Sequence, residues 1–297
     1  MNADSTFHIG AAHAVCQDYS LAGGANLPSA RAAGLDATRP ERRPYVILSD
    51  GCSSSADTDI GARLLVKATE QMLGELGGSQ PCDPARIHAE AARRALQWAK
   101  LLGLRPQAVD ATLLTAHLDG EELVVACSGD GVVCLQTRAG ALDVYSISYA
   151  SNYPLYPAYA HQPARLLALS GAGGGGRGTG KEVRHFRSAS LAERLQSCGA
   201  FLRDAPTEVF TVKAADYKYA AIFSDGVHSF FDAGQPAEAG GRGVAVPLEE
   251  VLRGLVSFKS TRGAFVGRRM NMFLRDCLHK GWRHADDLSA GALHLGG

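Results

Sequence analysis

The sequence predicts a mixed fold of β-strands and α-helices, in the α+β class. The short apolar run at 45–48 is followed by a Ser-Asp-Gly turn, which is typical of a buried strand and not of a helix. The stretches 58–76 and 84–102 instead carry apolar residues at helical spacing. Residues 111–138 contain three strand-like runs separated by Asp-Gly pairs, and this pattern favours hairpins. We therefore expect antiparallel strands together with separate helices.

The N-terminal elements follow from the same local signals. The largely apolar residues 7–12 predict a first strand, and the residues after it, including Asp18, are by themselves those of a plain loop. The helix at 58–76 begins beside polar residues that can cap it. The helix at 84–102 has a proline in its first turn, where that residue is tolerated.

The middle of the chain alternates between strand and turn signals. We predict strands at 111–118, 122–129 and 132–138. Asp119 is assigned to the turn between the first two strands. Asp130 lies in a Ser-Gly-Asp-Gly sequence and is either a hairpin residue or a further acidic ligand.

A less regular region follows. The tyrosine- and proline-rich residues 146–163 predict a loop or a small flap over a site. The glycine-rich residues 171–180 lack the Gly-Lys-Ser/Thr ending of a phosphate-binding loop, so they predict a flexible linker. We accordingly expect a flexible insert near 146–185, followed by a short helix at 191–202.

The C-terminal part returns to regular elements. Apolar runs predict strands at 209–212 and 219–223, and helical periodicity predicts helices at 248–258 and 265–280. A final short strand is expected at 288–295. The basic residues of the helix at 265–280 are interpreted as a solvated surface and not as a polyanion-binding face.

Three of the predicted strands are bordered by carboxylates. Asp50 and Asp225 each stand in a Ser-Asp-Gly triplet directly after an apolar run, and Asp286 and Asp287 precede the last strand. A single Asp-Gly is a common turn, so the repetition carries the argument. Neighbouring carboxylates repel one another, and one stays protonated unless a cation lies between them. The motif therefore predicts a metal site with hard oxygen ligands, which suit Mg²⁺ or Mn²⁺ and not zinc.

Length, charge and cysteine content restrict the class of protein. The 297 residues can form one large domain as readily as two, and we predict a single domain over 1–297. The net charge is zero and no apolar run reaches the length of a membrane span, so we expect neither nucleic acid nor a membrane as partner. The N-terminus lacks the basic start and apolar core of a secretory signal. Seven cysteines without a CxxC pair argue against a disulfide framework and a structural zinc site, which predicts a cytoplasmic location.

Taken together, these motifs resemble those of the PP2C-type (PPM) metal-dependent serine/threonine protein phosphatases, and most of all the bacterial branch. The shared order is Gln-Asp, Ser-Asp-Gly with a helix, an Ala-Thr strand, Gly-Asp-Gly, a second Ser-Asp-Gly and a terminal Asp-Asp-x-Ser strand. The likeness spans residues 8–295. It implies a four-layer α/β/β/α sandwich, in which two packed antiparallel sheets are flanked by helices.

The resemblance also implies roles for individual residues. Asp50 would bridge two ions of Mn²⁺ or Mg²⁺, and the carbonyl of Gly51 would bind one of them. Asp225 and Asp286 would complete the shell of the first ion. Asp18 would serve the second ion, and Asp130 would help to hold a possible third. Asp50 and Asp225 would act in catalysis through a metal-activated water, since paired ions activate water and neutralise phosphate charge.

The chain departs from the family pattern at three positions. His13 stands where many members use an arginine to bind the phosphate, and it is a weaker and pH-dependent substitute. Cys52 replaces a histidine that is proposed as general acid in eukaryotic members, so the leaving group must obtain its proton from water or elsewhere. Asp110 and Ala111 replace the usual glycine and threonine before Thr112.

The resemblance implies a protein serine/threonine phosphatase that acts on phosphoserine or phosphothreonine. Its expected partners are a phosphorylated protein and a bacterial Ser/Thr kinase or the target of that kinase. Two alternatives stay open. One is a catalytically weak, phosphatase-like binding or regulatory module, which the substitution at His13 favours. The other is a phosphatase of the same fold that acts on a small phosphorylated metabolite.

Overall fold

Two antiparallel sheets form the centre of the structure. The computed structural model describes residues 1–24, 43–75, 83–150, 154–172, 180–202, 205–235 and 242–296. Its strands are β1 (Asn2–His8), β2 (Tyr19–Gly23), β3 (Tyr45–Ser49), β4 (Leu113–Asp119), β5 (Glu122–Ser128), β6 (Gly131–Thr137), β7 (Leu142–Tyr149), β8 (Lys181–Ser188), β9 (Gln196–Leu202), β10 (Thr207–Lys213), β11 (Tyr217–Phe223), β12 (Phe230–Asp232), β13 (Val244–Ala245), β14 (Trp282–His284) and β15 (Leu288–His294). Its α-helices are α1 (Thr58–Glu75), α2 (Pro84–Leu101), α3 (Pro163–Ala172), α4 (Leu248–Val256) and α5 (Phe265–Lys280).

The strand order defines two large sheets and one small one. The seven-stranded sheet has the order β1-β15-β11-β6-β7-β8-β9, and the five-stranded sheet has the order β10-β5-β4-β3-β2. A three-stranded sheet, β13-β12-β14, lies apart from them. Adjacent strands pair antiparallel throughout the described residues.

Among the described residues, three apolar clusters hold the layers together. Side chains of both large sheets meet in a central cluster, which includes Val46, Leu48, Leu114, Val125, Val133, Ile147, Ile222 and Leu293. Helices α1 and α2 pack on the five-stranded sheet, and α4 and α5 pack on the seven-stranded sheet. This arrangement confirms the predicted α+β class and the four-layer sandwich.

Strand β3 shows why its sequence is apolar at successive positions. Alternate side chains of a strand point to opposite faces. Val46 and Leu48 accordingly enter the cluster between the sheets, whereas Ile47 packs with Leu65 of α1 on the other face. Since both faces of the strand are covered, the run is continuous, and it delivers Asp50 from a rigid support.

Several predicted elements differ from the structure. The helix expected at 191–202 is wrong, because Gln196–Leu202 forms β9 and pairs with β8. Leu191 and Leu195 have the spacing of a helix. Leu191 instead lies in a turn and Leu195 directly precedes β9, and both side chains pack against the apolar cluster that includes α4. The first strand is Asn2–His8 and not 7–12, because β1 pairs with β15 along its whole length.

Two turn predictions also need correction. The Ser-Gly-Asp-Gly sequence around Asp130 does not close a hairpin, because β5 and β6 belong to different sheets and the turn crosses between them. The expected loop at 146–163 is partly regular: Ser146 and its neighbours end β7, Pro157–His161 is a 3₁₀ turn, and α3 begins at Pro163. Residues 173–179 of the predicted linker lie outside the described part of the chain.

Candidate active site

A polar pocket of about 300 Å³ opens where the strands of the two sheets end. Its lining consists of Asp50, Gly51, Cys52, Ser53, Ser54, Thr112, Asp130, Pro154, Tyr156, Asp225 and Asp286. Asp50 follows β3, Asp225 follows β11, Asp130 lies in the turn between β5 and β6, and Asp286 precedes β15. The sandwich thus brings together four carboxylates that are far apart in the sequence.

Two hydrogen bonds with Thr112 fix the backbone of Asp50. The Asp50 amide donates to Thr112 Oγ1 at 3.1 Å, and the Thr112 amide donates to the Asp50 carbonyl at 2.8 Å. Ser49 Oγ donates to the Thr112 carbonyl at 2.7 Å. Gly51 follows directly, and a Cβ at this position would lie 2.8 Å from Thr58 Cβ. Only glycine therefore lets the chain pass α1 at this point.

Asp18 lies behind the pocket and is 1% exposed. Ser224 Oγ donates to Asp18 Oδ2 at 2.8 Å and accepts a hydrogen bond from the Ser289 amide at 2.9 Å. Burial raises the pKa of Asp18 to about 7, although hydrogen bonds with Asp50 and Ser224 oppose this shift. Asp18 Oδ1 is buried without a hydrogen-bond partner among the described residues.

Burial and mutual repulsion raise the pKa values of several of these carboxyl groups. Burial, followed by the charges of Asp18 and Asp225, raises the pKa of Asp50 well above its usual value. Burial and the charge of Asp225 raise the pKa of Asp130 to about 8. The same two causes raise the pKa of Asp286. A cation among these groups would stabilise their ionised forms.

The donor set suits divalent ions with oxygen ligands. Asp18 Oδ1 and Asp225 Oδ1 are both buried and lack hydrogen-bond partners in the described part of the chain. Within that part, no three His, Cys, Asp or Glu side chains converge tightly enough to hold one ion by themselves. Mg²⁺ usually keeps several of its waters, and carboxylates can hold it through those waters as well as directly, so an open arrangement of acidic groups fits such ions.

His13 contacts carboxylates next to the pocket and is not among the lining residues. Its Nδ1 lies 3.0 Å from Asp287 Oδ2, and its Nε2 lies 3.4 Å from Asp286 Oδ1. Burial disfavours the charged ring, but Asp287 and Asp286 outweigh this effect and raise the pKa of His13. The predicted role of His13 in binding phosphate stays a prediction.

Asp287 has a structural role that the sequence did not reveal. It is 1% exposed, and its two oxygens accept from the amides of Gly10 at 2.7 Å and Gln17 at 2.6 Å. These bonds fasten the segment that carries Asp18 to the start of β15. The two adjacent carboxylates therefore have different roles. Asp286 lines the pocket, whereas Asp287 is buried in the protein interior.

Sequence reasoning also missed the opposite wall of the pocket. Pro154 and Tyr156 line it, and Tyr156 is 8% exposed. The tyrosine-rich stretch suggested a flap, but nothing in its pattern identified the residues that face the site. Ser53 and Ser54 complete the rim from the loop that follows Gly51.

A family model described as protein phosphatase 2C matches residues 32–253. The chain belongs to this family. Asp50, Asp130 and Asp225 lie within the matched residues, whereas Asp18 and Asp286 lie outside them. No curated protein matches the sequence at a significant level.

Solved structures support the same fold. The serine/threonine phosphatase Stp1 from Staphylococcus aureus is 11% identical, with coverage of 100% of this chain and 96% of that chain and a TM-score of 0.52. The S. agalactiae serine/threonine phosphatase is 12% identical, with 99% of each chain covered and a TM-score of 0.53. At such identities the likeness shows the fold, and family membership indicates a phosphatase. None of the helices in the described residues is long and apolar enough to cross a membrane.

Proposed function

We propose that the chain is a Mn²⁺- or Mg²⁺-dependent protein phosphatase that hydrolyses phosphoserine and phosphothreonine. The observation that carries this proposal is the convergence of Asp50, Asp130, Asp225 and Asp286 on one polar pocket. Buried carboxyl groups with raised pKa values, such as Asp18 and Asp130, support a site that is completed by cations.

Each acidic residue has a proposed place in this site. Asp50 would bind both of two ions, with the Gly51 carbonyl as a further ligand of one. Asp225 and Asp286 would hold the first ion, and Asp18 would serve the second. Asp130 would help to hold a third. When bound, the ions would activate water for attack and neutralise the charge of the phosphate.

The other residues would orient these groups and shape the pocket. Thr112 holds the backbone of Asp50, and Ser224 holds the carboxyl group of Asp18. Cys52 Sγ lies 3.1 Å from Ser54 Oγ, and neither residue has a basic side chain beside it among the pocket residues. We therefore assign no nucleophile to the protein, and the proton for the leaving group would come from solvent.

A protein substrate, a kinase partner and a cytoplasmic location belong to the same proposal. Family membership supports phosphorylated proteins as the substrate class. A bacterial Ser/Thr kinase, or the target of one, would supply them. We propose a cytoplasmic location on the cysteine pattern alone.

The proposal is tested with two substrates. Purified protein is assayed on p-nitrophenyl phosphate and on a phosphothreonine peptide, with and without Mn²⁺. We expect hydrolysis that requires Mn²⁺ and is lost in Asp50→Asn. The matched control is Asp276→Asn on the exposed surface of α5, which should stay active. Full activity in Asp50→Asn would remove the proposal.

A second candidate is a phosphatase-like module that binds phosphorylated peptides and turns them over slowly. The specific observation is that both ring nitrogens of His13 face carboxylates, so this ring does not reproduce a free arginine clamp. Binding of the phosphothreonine peptide in the presence of Mn²⁺, without hydrolysis, would favour this module over the enzyme.

A further inference from the structure

Asp110 forms an ion pair that is buried on one side. Its side chain is 2% exposed, whereas that of Arg165 is 32% exposed. Arg165 Nη1 donates to Asp110 Oδ1 at 2.8 Å, and Nη2 donates to Oδ2 at 2.7 Å. Ser55 Oγ donates to the same Oδ2 at 3.1 Å. Planar, two-point contacts of this kind fix orientation as well as distance.

Asp110 also contacts one wall of the pocket, which is formed by the loop 52–55. The amide of Cys52 donates to the Asp110 carbonyl at 2.8 Å, and Gly51 forms a β-bridge with Ala111. Together with the Ser55 contact, these bonds hold the loop 52–55 at both of its ends. This loop supplies Cys52, Ser53 and Ser54 to the pocket lining.

Arg165 adjoins the opposite wall of the pocket, which is formed by the segment 154–161. It lies in the first turn of α3, directly after the segment 154–161 that contributes Pro154 and Tyr156 to the pocket. Its guanidinium group lies 4.9 Å from the centre of the Tyr159 ring. Tyr159 in turn contacts Tyr156, with their ring centres 5.5 Å apart. The hydroxyl of Tyr156 lies beside the thiol of Cys52, so the two walls meet at this point.

We propose that Asp110 and Arg165 are a positioning pair that sets the separation of the two pocket walls and so selects phosphorylated peptides over small phosphate esters. This inference rests on the proposed phosphatase function. Asp110 anchors one wall through its backbone and the other through its carboxylate. The residues on either side of a phosphorylated side chain must pass between these walls, whereas a small ester need not touch them.

The first test separates substrate fit from catalysis. In Arg165→Met, KM for a phosphothreonine peptide should rise about tenfold, which corresponds to about 1.4 kcal/mol of apparent binding free energy, because the two walls no longer hold their separation. KM for p-nitrophenyl phosphate and the Mn²⁺ requirement should stay within about twofold of wild type. Arg165→Lys keeps the charge without the planar fork, so it should restore only part of the peptide KM.

Arg94→Met is the matched control. Arg94 makes an equivalent two-point contact with Glu75, at 2.9 and 2.8 Å, on the exposed surfaces of α1 and α2. Its loss should leave both KM values unchanged. An equal rise in KM for both substrates, or no rise for the peptide, would overturn the proposed selectivity.

A second test does not depend on activity. Cys52 is half-buried beside Tyr156, so outward movement of the 154–161 wall should expose its thiol. The alkylation of Cys52 by iodoacetamide, followed by mass spectrometry of its peptide, should be several-fold faster in Arg165→Met than in wild type or Arg94→Met. Unchanged alkylation would overturn the positioning role even if the wild type proved to be inactive. An inactive wild type with faster alkylation in Arg165→Met would refute the phosphatase function and retain the positioning of the walls.

Discussion

The two Ser-Asp-Gly motifs give a matched pair of serines whose removal should have different costs. Ser224 Oγ donates to the buried carboxylate of Asp18 and accepts from the Ser289 amide. Ser49 Oγ makes one neutral hydrogen bond, to the Thr112 carbonyl. A hydrogen bond to a charged group contributes about 1.5–3 kcal/mol, and a neutral one about 1 kcal/mol.

Ser224→Ala should therefore lower the free energy of unfolding by about 3 kcal/mol, because it also leaves the buried Ser289 amide without its acceptor. Ser49→Ala should cost about 1 kcal/mol. At roughly 2 °C per kcal/mol for a chain of this size, the melting temperatures should fall by about 6 °C and about 2 °C.

Thermal unfolding of the metal-free variants at pH 8 is the appropriate assay. Asp18 has a pKa of about 7, so its carboxylate is mostly ionised at this pH and the bond to Ser224 is charge-assisted. At pH 5 Asp18 is protonated, and the difference between the variants should narrow. Equal losses of stability at pH 8 would refute the argument that Ser224 supports a charged group.

Three further predictions follow from the same site and from α5. Because folding raises the pKa of Asp18 to about 7 and of Asp130 to about 8, the folded state holds protons that the unfolded state has released. Urea titrations should show that metal-free protein loses stability from about pH 4 up to pH 8 and that Mn²⁺ restores it; a flat profile would contradict the assigned shifts. Asp130→Asn removes one of these groups, so it should make metal-free protein more stable at pH 8. Calorimetric titrations should show that the same change weakens Mn²⁺ binding. A loss of stability of the metal-free variant at pH 8 would contradict this prediction. Gly226→Ala would place a Cβ 1.9 Å from the Asp287 carbonyl oxygen, whereas the nearest atom at Gly267 is 3.7 Å away. Melting curves should show that the first change destabilises by several kcal/mol and that the second, inside a helix, stabilises by about 1 kcal/mol; similar effects at the two glycines would show that this contact is not limiting.

Local sequence signals correctly predicted the structural features that depend on a single strand or helix and the residues next to it. Asp50 follows a strand that is buried over its whole length, and Asp225 follows five buried residues at the end of β11, because neighbouring layers cover both faces there. Helix α5 begins and ends at the predicted residues, with Gly281 in a left-handed conformation at its C-terminus. Such features depend on a few adjacent residues.

Long-range pairing explains what the sequence did not predict. The Asp-Gly pairs at Asp119 and Asp130 are alike locally, but only the first closes a hairpin, because β6 pairs with β11 and β7 in the other sheet. The ion pair of Asp110 and Arg165 joins residues that are 55 positions apart. No periodicity in the sequence predicts such a contact. The burial of Asp287 and its hydrogen bonds to the backbone could not be predicted from the sequence either.

The decisive measurement is the number of Mn²⁺ ions that bind to the pocket carboxylates. Electron paramagnetic resonance of free Mn²⁺, titrated into metal-free protein at pH 8, gives the number of ions bound to each chain. We expect at least two ions for wild type and Asp276→Asn, and fewer, more weakly bound ions for Asp50→Asn. Identical binding curves for wild type and Asp50→Asn, or no binding at all, would contradict a metal centre built on these carboxylates.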